Sequence, residues 1–216
     1  MMNTALTRVS GVSQRIRAPR RAEGRPARGF TLIETLVAIA IVALAVVGPL
    51  YTADRAAVAA QLSNEELTAS YLAQEGIEYV RAVRDDAYLS TYNSYRNTSG
   101  ANIPAIAWNA FLNTNPVSSC RSSACSYDPI SLQLSACTGS CPELYLADGY
   151  YTTESGLANA AWTPYTRSIQ VQNITPAPPT DAQGNPIDVQ AVSTVTWDFH
   201  GTQHSVSIAE DLTPWQ

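Results

Sequence analysis

Residues 30–50 read FTLIETLVAIAIVALAVVGPL, an apolar run whose only charge is Glu34. At 1.5 Å of rise per residue, a helix of that length covers about 30 Å, the thickness of a bilayer's hydrocarbon core. A cleaved secretory signal has a shorter apolar stretch that ends in an A-x-A-like site. Here the run is longer and closes on Gly48-Pro49, so it reads as a membrane span. Working outward, the segment before it carries Arg8, Arg15, Arg17, Arg20, Arg21, Arg25 and Arg28 against a single acid, Glu23, a net of +6. The positive-inside rule keeps this leader cytoplasmic and sends everything after the span to the other side.

The remainder is of opposite sign. The chain has no lysine, and from Gly29 onward six arginines face seventeen acids, a net of −11 within the overall −5. A surface of that sign repels phosphate, which argues against unaided nucleic-acid binding. With 45% hydrophobic and 14% charged residues, the chain has the means to build a core, so bulk disorder is excluded.

Four cysteines, Cys120, Cys125, Cys137 and Cys141, lie within 22 residues of the translocated part. That is the pattern of two disulfides in an oxidising compartment. A zinc site is the rival, but C-x4-C and C-x3-C are loose spacings for a zinc ribbon. Two pairings stay open. A nested one (Cys120 with Cys141, Cys125 with Cys137) would staple a hairpin centred near Ser131. A local one (Cys120 with Cys125, Cys137 with Cys141) would pin two small loops.

Beyond the span, Gly48-Pro49 should weaken the helix, because Pro49 cannot donate to the carbonyl of Ala45 and its ring crowds that turn. Helical character resumes over 51–86, where Ala, Leu, Glu, Gln and Arg dominate. Val58, Leu62, Ala69, Leu72, Ala73, Gly76, Ile77, Val80 and Val83 share one side at 100° per residue, with Glu75, Glu78 and Asp85 opposite. Glu65 breaks the stripe and Leu67 is off it, so packing should begin near Ala69. Residues 87–119 read as loop with a short turn or helix near Trp108 to Leu112. Tyr165 to Ile174 and Val189 to Phe199 read as alternating strands, and a turn at His200 to Thr202 leads to a third strand at Ser205 to Ala209. The fold class is therefore α+β: a long N-terminal helix laid on an antiparallel sheet, with a cysteine-stapled loop region between.

Gly29-Phe30-Thr31-Leu32-Ile33-Glu34, preceded by a basic leader and followed by the apolar run, resembles the processing site of the type IV pilin and type II secretion pseudopilin superfamily. LAQEGIEYVRAVRD (Leu72 to Asp85) and the late pattern of Arg167, Ile169, Val195, Trp197, Leu212 and Trp215 resemble its minor subunits. The resemblance implies cleavage by a prepilin peptidase between Gly29 and Phe30, methylation of the new N-terminus, and Glu34 as the fifth mature residue. It implies a domain order of leader (1–29), membrane and filament-core helix (30–50), amphipathic continuation (51–86) and extracytoplasmic domain (87–216). It implies as partners homologous subunits, an inner-membrane assembly platform and, before assembly, membrane lipid. The protein would be a single-pass inner-membrane protein first and part of an extracellular or periplasmic filament later. The leader is longer than in many relatives, and the helix-breaking proline falls at mature position 20, near the usual place but not at it.

Glu34 carries the sharpest chemistry. An acid this close to hydrocarbon costs a few kcal/mol unless it snorkels to the headgroups or is neutralised. Cleavage would create an ammonium on Phe30 beside it, and packing into a dry filament core would let the two pair. Leaving either one unpaired there would cost roughly 3–5 kcal/mol. Gly29 suits a scissile bond because it brings no side chain and little helix preference. Gly48-Pro49 reads either as a span terminator or as a weak point able to unwind.

Other candidates are weaker. His200 and His204 read as loop histidines. Asp181 to Asp188 (DAQGNPID) could hold Ca²⁺ but lacks regular acidic spacing, so a turn is favoured. Asn97-Thr98-Ser99 and Asn173-Ile174-Thr175 match a glycosylation sequon by coincidence. Tyr88, Tyr92 and Tyr95 form either a binding surface or packing. No nucleophile elbow, metalloprotease motif or phosphate loop occurs, so no catalytic residue, cofactor or metal is expected. The function expected is a minor structural subunit of a pilus-like or secretion filament; a filament- or membrane-anchored adhesive module is the alternative.

Overall fold

The computed structural model describes residues 29–174, 176, 178–182 and 184–214. Residues 1–28 of the leader, Trp215 and Thr175 of the second sequon lie outside the described residues. The chain divides into two units, residues 1–51 and 52–216.

In the first unit the helix α1 (Leu32–Tyr95) begins, directly after Thr31. Every residue from Gly29 to Leu50 is exposed, and the apolar stretch reaches a mean hydropathy of 2.4 with none of it buried. It is a helix long and apolar enough to cross a membrane. α1 is helical through Gly48 and Pro49.

In the second unit α1 turns amphipathic. Its buried residues are Ala69, Leu72, Ala73, Gly76, Ile77, Val80 and Thr91. They repeat at three- and four-residue spacing, so one face packs while the other meets solvent. Full burial starts at Ala69 and Leu67 is exposed, as the periodicity predicts, but packing begins earlier than expected, with Leu62 half-buried against the second cluster described below. The helix runs nine residues past the expected end at Asp86, to Tyr95. Its last turns are rich in Ser, Thr and Asn, whose poor propensity masked them. Among them Thr91 is buried, and its hydroxyl donates to the carbonyl of Ala87 at 2.7 Å.

The expected loop over 87–119 is largely helical. α2 (Ile103–Asn113) and α3 (Val117–Ser122) follow α1. The Asn102 side chain caps α2 by accepting from the Ala105 N–H, and Pro104 sits in its first turn, where no intrahelical donor is needed. α2 buries Ala107, Trp108, Phe111 and Leu112.

Seven strands make one sheet among the described residues: β1 (Cys125–Asp128), β2 (Gln133–Ala136), β3 (Glu143–Ala147), β4 (Tyr150–Thr152), β5 (Ala161–Gln172), β6 (Val189–Phe199) and β7 (Thr202–Leu212). These strands pair antiparallel throughout. β5 is the organising strand. One of its edges takes β3 and, further on, β1; the other pairs with β6 from Thr166↔Thr196 to Gln172↔Gln190. β6 falls where its alternation predicts, burying Val189, Ala191, Ser193, Val195 and Trp197 on one side. β7 is longer than the expected 205–209 and pairs with β6 along its whole length. The two-residue turn His200-Gly201 has φ of 52° and 79°, and the Asp198 carboxylate accepts the Gly201 N–H at 2.9 Å. Such a primed turn follows the twist of its strands. α1 and the sheet enclose two apolar clusters, one around Ile77, Val80, Trp108 and Ile169, the other around Ala69, Leu72, Tyr165 and Trp197.

Candidate processing and assembly site

Gly29 and Phe30 precede the helix and have no regular secondary structure. Phe30 is 80% exposed, and a Cβ placed on Gly29 would meet nothing within 4 Å. An uncovered peptide bond of this kind is what a peptidase can hold. The helix start is set by Thr31, whose hydroxyl accepts the backbone N–H of Glu34 at 3.3 Å. Thr31-Leu32-Ile33-Glu34 is thus the first half of a capping box, with the acid at the third helical position. There the carboxylate also faces the positive end of the helix dipole. Sequence reasoning missed this capping role, although T-x-x-E ahead of an apolar run is its recognised signature.

The four cysteines form two disulfides, Cys120–Cys125 and Cys137–Cys141. The pairing is the local one. A hairpin does turn near Ser131, formed by β1 and β2 with Cys125 opposite Ala136, but neither disulfide crosses it. Cys120 and Cys125 are both fully buried in the main core.

The most heavily buried charge among the described residues is Arg167 on β5, at 0% exposure. Its guanidinium donates to the Glu75 carboxylate at 2.6 Å, to the Leu72 carbonyl at 3.2 Å and to the Tyr127 carbonyl at 2.8 Å. It also stands 4.9 Å from the centre of the Tyr127 ring. Tyr127 in turn stacks on Tyr79, centroids 4.0 Å apart. This network ties α1, β1 and β5 together. Glu75, assigned by the helical wheel to the solvent side, stands at the edge of the packed face. No local signal in the sequence links two residues 92 apart, so the pair was not foreseeable.

Asp128 ends β1 and organises the hairpin turn. One oxygen accepts the Ile130 N–H at 2.8 Å and the other accepts the hydroxyls of Thr152 and Thr153 at 2.9 and 3.0 Å. Burial works against its ionised form, but these bonds outweigh it and hold the carboxyl below the usual aspartate range.

Of the weaker candidates, His200 lies in the β6–β7 turn, whereas His204 lies in β7 and not in a loop as expected. His204 stacks on Trp197 at 5.5 Å, and His200 meets Phe199 edge-on at 4.4 Å. In the 181–188 stretch the Asp181 carboxylate accepts the backbone and side-chain N–H groups of Asn185, which makes this segment a closed turn. Tyr88 and Tyr92 stack along α1 at 6.4 Å.

With the exposed Gly29-Phe30 bond, the capped helix and the acid at its third position in place, the comparison with known families bears on the N-terminus. Residues 24–48 match the prokaryotic N-terminal methylation motif. The methylation motif supports the type IV pilin and pseudopilin superfamily, and the long apolar helix, C-terminal antiparallel sheet and two disulfides form an α+β pilin-like arrangement. It points to a prepilin-processed structural subunit and implies other pilin subunits and the prepilin peptidase as partners. Together with the apolar helix it supports a membrane-anchored single-pass protein. No curated protein and no solved structure matches the chain.

Proposed function

We propose that this chain is a minor pilin or pseudopilin. It is cut between Gly29 and Phe30, methylated on Phe30, and drawn by an inner-membrane platform from the bilayer into a filament through the first part of α1. The observation that carries the reading is the methylation motif over residues 24–48 at the start of an apolar helix with a single acid five residues past the cut. Before assembly that helix is solvated by lipid, with the leader cytoplasmic and residues from Thr52 onward outside. In the filament, Glu34 neutralises a Phe30 ammonium, its own or a neighbour's, and so selects register. Gly48-Pro49 is the point at which α1 can loosen during extraction, since the Ala45 carbonyl has no proline N–H to accept.

The test is mass spectrometry of the N-terminal peptide recovered from native membranes and sheared filaments. A peptide beginning at N-methylated Phe30 is expected. An intact leader, where other prepilins of the same cells are cut, would reject the proposal and leave a permanently anchored extracytoplasmic binding protein. Glu34→Ala should be cut normally and recovered in the filament fraction at a small share of the wild-type amount. Unchanged incorporation would remove the pairing role.

A further inference from the structure

A groove of about 790 Å³ runs along α1 in the second unit, opposite the end of α2 and the turn into α3. That volume falls within the roughly 300–1,000 Å³ of ligand-binding clefts. Its floor is apolar and aromatic, built by Tyr79, Val83, Phe111 and Tyr127. The floor is rigid, since Tyr79 stacks on Tyr127 and its hydroxyl donates to the Leu132 carbonyl at 2.8 Å on the rim. One wall is acidic. Glu75, Glu78 and Asp86 line it from α1, and among the described residues no arginine or histidine does. Glu75 and Glu78 bond Arg167 and Arg81 yet keep 38% and 64% of their side chains exposed.

From Glu75 to Asp86 these acids extend about 16 Å along the helix axis, three turns. An apolar floor beside an acidic wall of three turns is the negative of one kind of surface: an amphipathic helix with apolar side chains at i, i+3, i+4 and i+7 and a row of cations along one flank. We infer that this groove is a docking site for a basic amphipathic helical segment of another protein. A second copy of this chain is a poor occupant, because its residues from Gly29 onward carry −11. The inference does not depend on whether the leader is processed, since every lining residue belongs to 52–216.

The test uses the full chain in phosphatidylcholine nanodiscs, with empty nanodiscs as control. The probe is a fluorescein-labelled amphipathic peptide of about three helical turns with leucine on one face and arginine along its flank, read by fluorescence anisotropy. Saturable binding that weakens with salt is expected. Asp86→Lys should weaken it about tenfold, the scale of an exposed attraction turned into a repulsion. Ala82→Trp, at an exposed position in the groove wall, should abolish it by filling the space. Circular dichroism and an unchanged urea midpoint establish that both variants fold. Equal binding of a peptide with glutamate or glutamine in place of arginine would overturn the proposal. So would full affinity in Ala82→Trp, or peptide binding blocked by self-association of the chain.

Discussion

Gly76 lies where α1 comes closest to the sheet. A Cβ added there would stand 2.5 Å from the Ser193 hydroxyl oxygen, 3.1 Å from Ile169 Cδ1 and 3.2 Å from Ser193 Cβ. Gly76→Ala therefore sets two effects against each other. Alanine is favoured over glycine inside a helix by about 1 kcal/mol. Overpacking a filled core costs about 1–3 kcal/mol. The nearest clash is with a hydroxyl that is itself buried and makes no hydrogen bond, so its removal relieves crowding and a desolvation cost together. Gly76→Ala is expected to destabilise by about 1 kcal/mol net, Ser193→Ala to be neutral or stabilising, and the double variant to match or exceed wild type. The coupling energy should be about 1–2 kcal/mol. Urea unfolding of the full chain in detergent, followed by the fluorescence of buried Trp108 and Trp197, measures all four corners of the cycle. Equal destabilisation by Gly76→Ala with Ser193 present and with Ser193→Ala in place would refute the reasoning, because the close approach of helix and strand would then not reside in this contact.

Three further outcomes follow from the same packing. Glu75→Leu should cost about 3 kcal/mol by leaving the fully buried Arg167 without its counterion, while Glu75→Leu with Arg167→Met should recover most of that loss in urea titrations. For Asp128, whose folded pKa lies below the usual value, stability is fully present above the unfolded aspartate pKa of about 3.9 and lost as pH falls through the lower folded value. Asp128→Asn should flatten that acid limb, seen as urea midpoints that change less than those of wild type between about pH 5 and 2. Replacing Cys120 and Cys125 by alanine should cost more than replacing Cys137 and Cys141. Each short loop contributes roughly 2 kcal/mol of chain entropy, but only the first pair is also buried core, and thermal melts of the two double variants give the order.

The parts that could be read from sequence are those whose signal is periodic and local. Val189 to Phe199 alternates because one face of β6 is core and its neighbours are not. The stripe from Ala69 to Val80 marks the face α1 lays on the sheet. The apolar run with Glu34 is legible because a hydrocarbon environment tolerates so little else. α2 could have been drawn at full length, since Ala107, Trp108, Phe111 and Leu112 have helical spacing behind a capping Asn102 and an early Pro104. The end of α1 could not, because Thr91 is buried only through contacts that form at the tertiary level. β1 and β2 do alternate, in Cys125-Ser126-Tyr127-Asp128 and Leu132-Gln133-Leu134-Ser135, but each strand is only four residues long, which gives the period little room to stand out, and the Asp128 turn joins them. Neither the Arg167–Glu75 pair nor the groove beside Tyr79 leaves a trace in local sequence, since each joins segments far apart in the chain.

The disulfides have a mechanical consequence. Each closes a loop of four or five residues, with Cα atoms 5.3 and 4.9 Å apart. Pulled taut, the chain from Thr52 to Pro214 would reach about 550 Å at roughly 3.4 Å per residue, and the two crosslinks together withhold only about 20 Å of that. Under load they are knots in a rope rather than rungs across it. Resistance to extension falls to the ladders of β5, β6 and β7 and to the seam between α1 and the sheet, so a stretched molecule would yield by shearing or unzipping those contacts with both sulfur links intact.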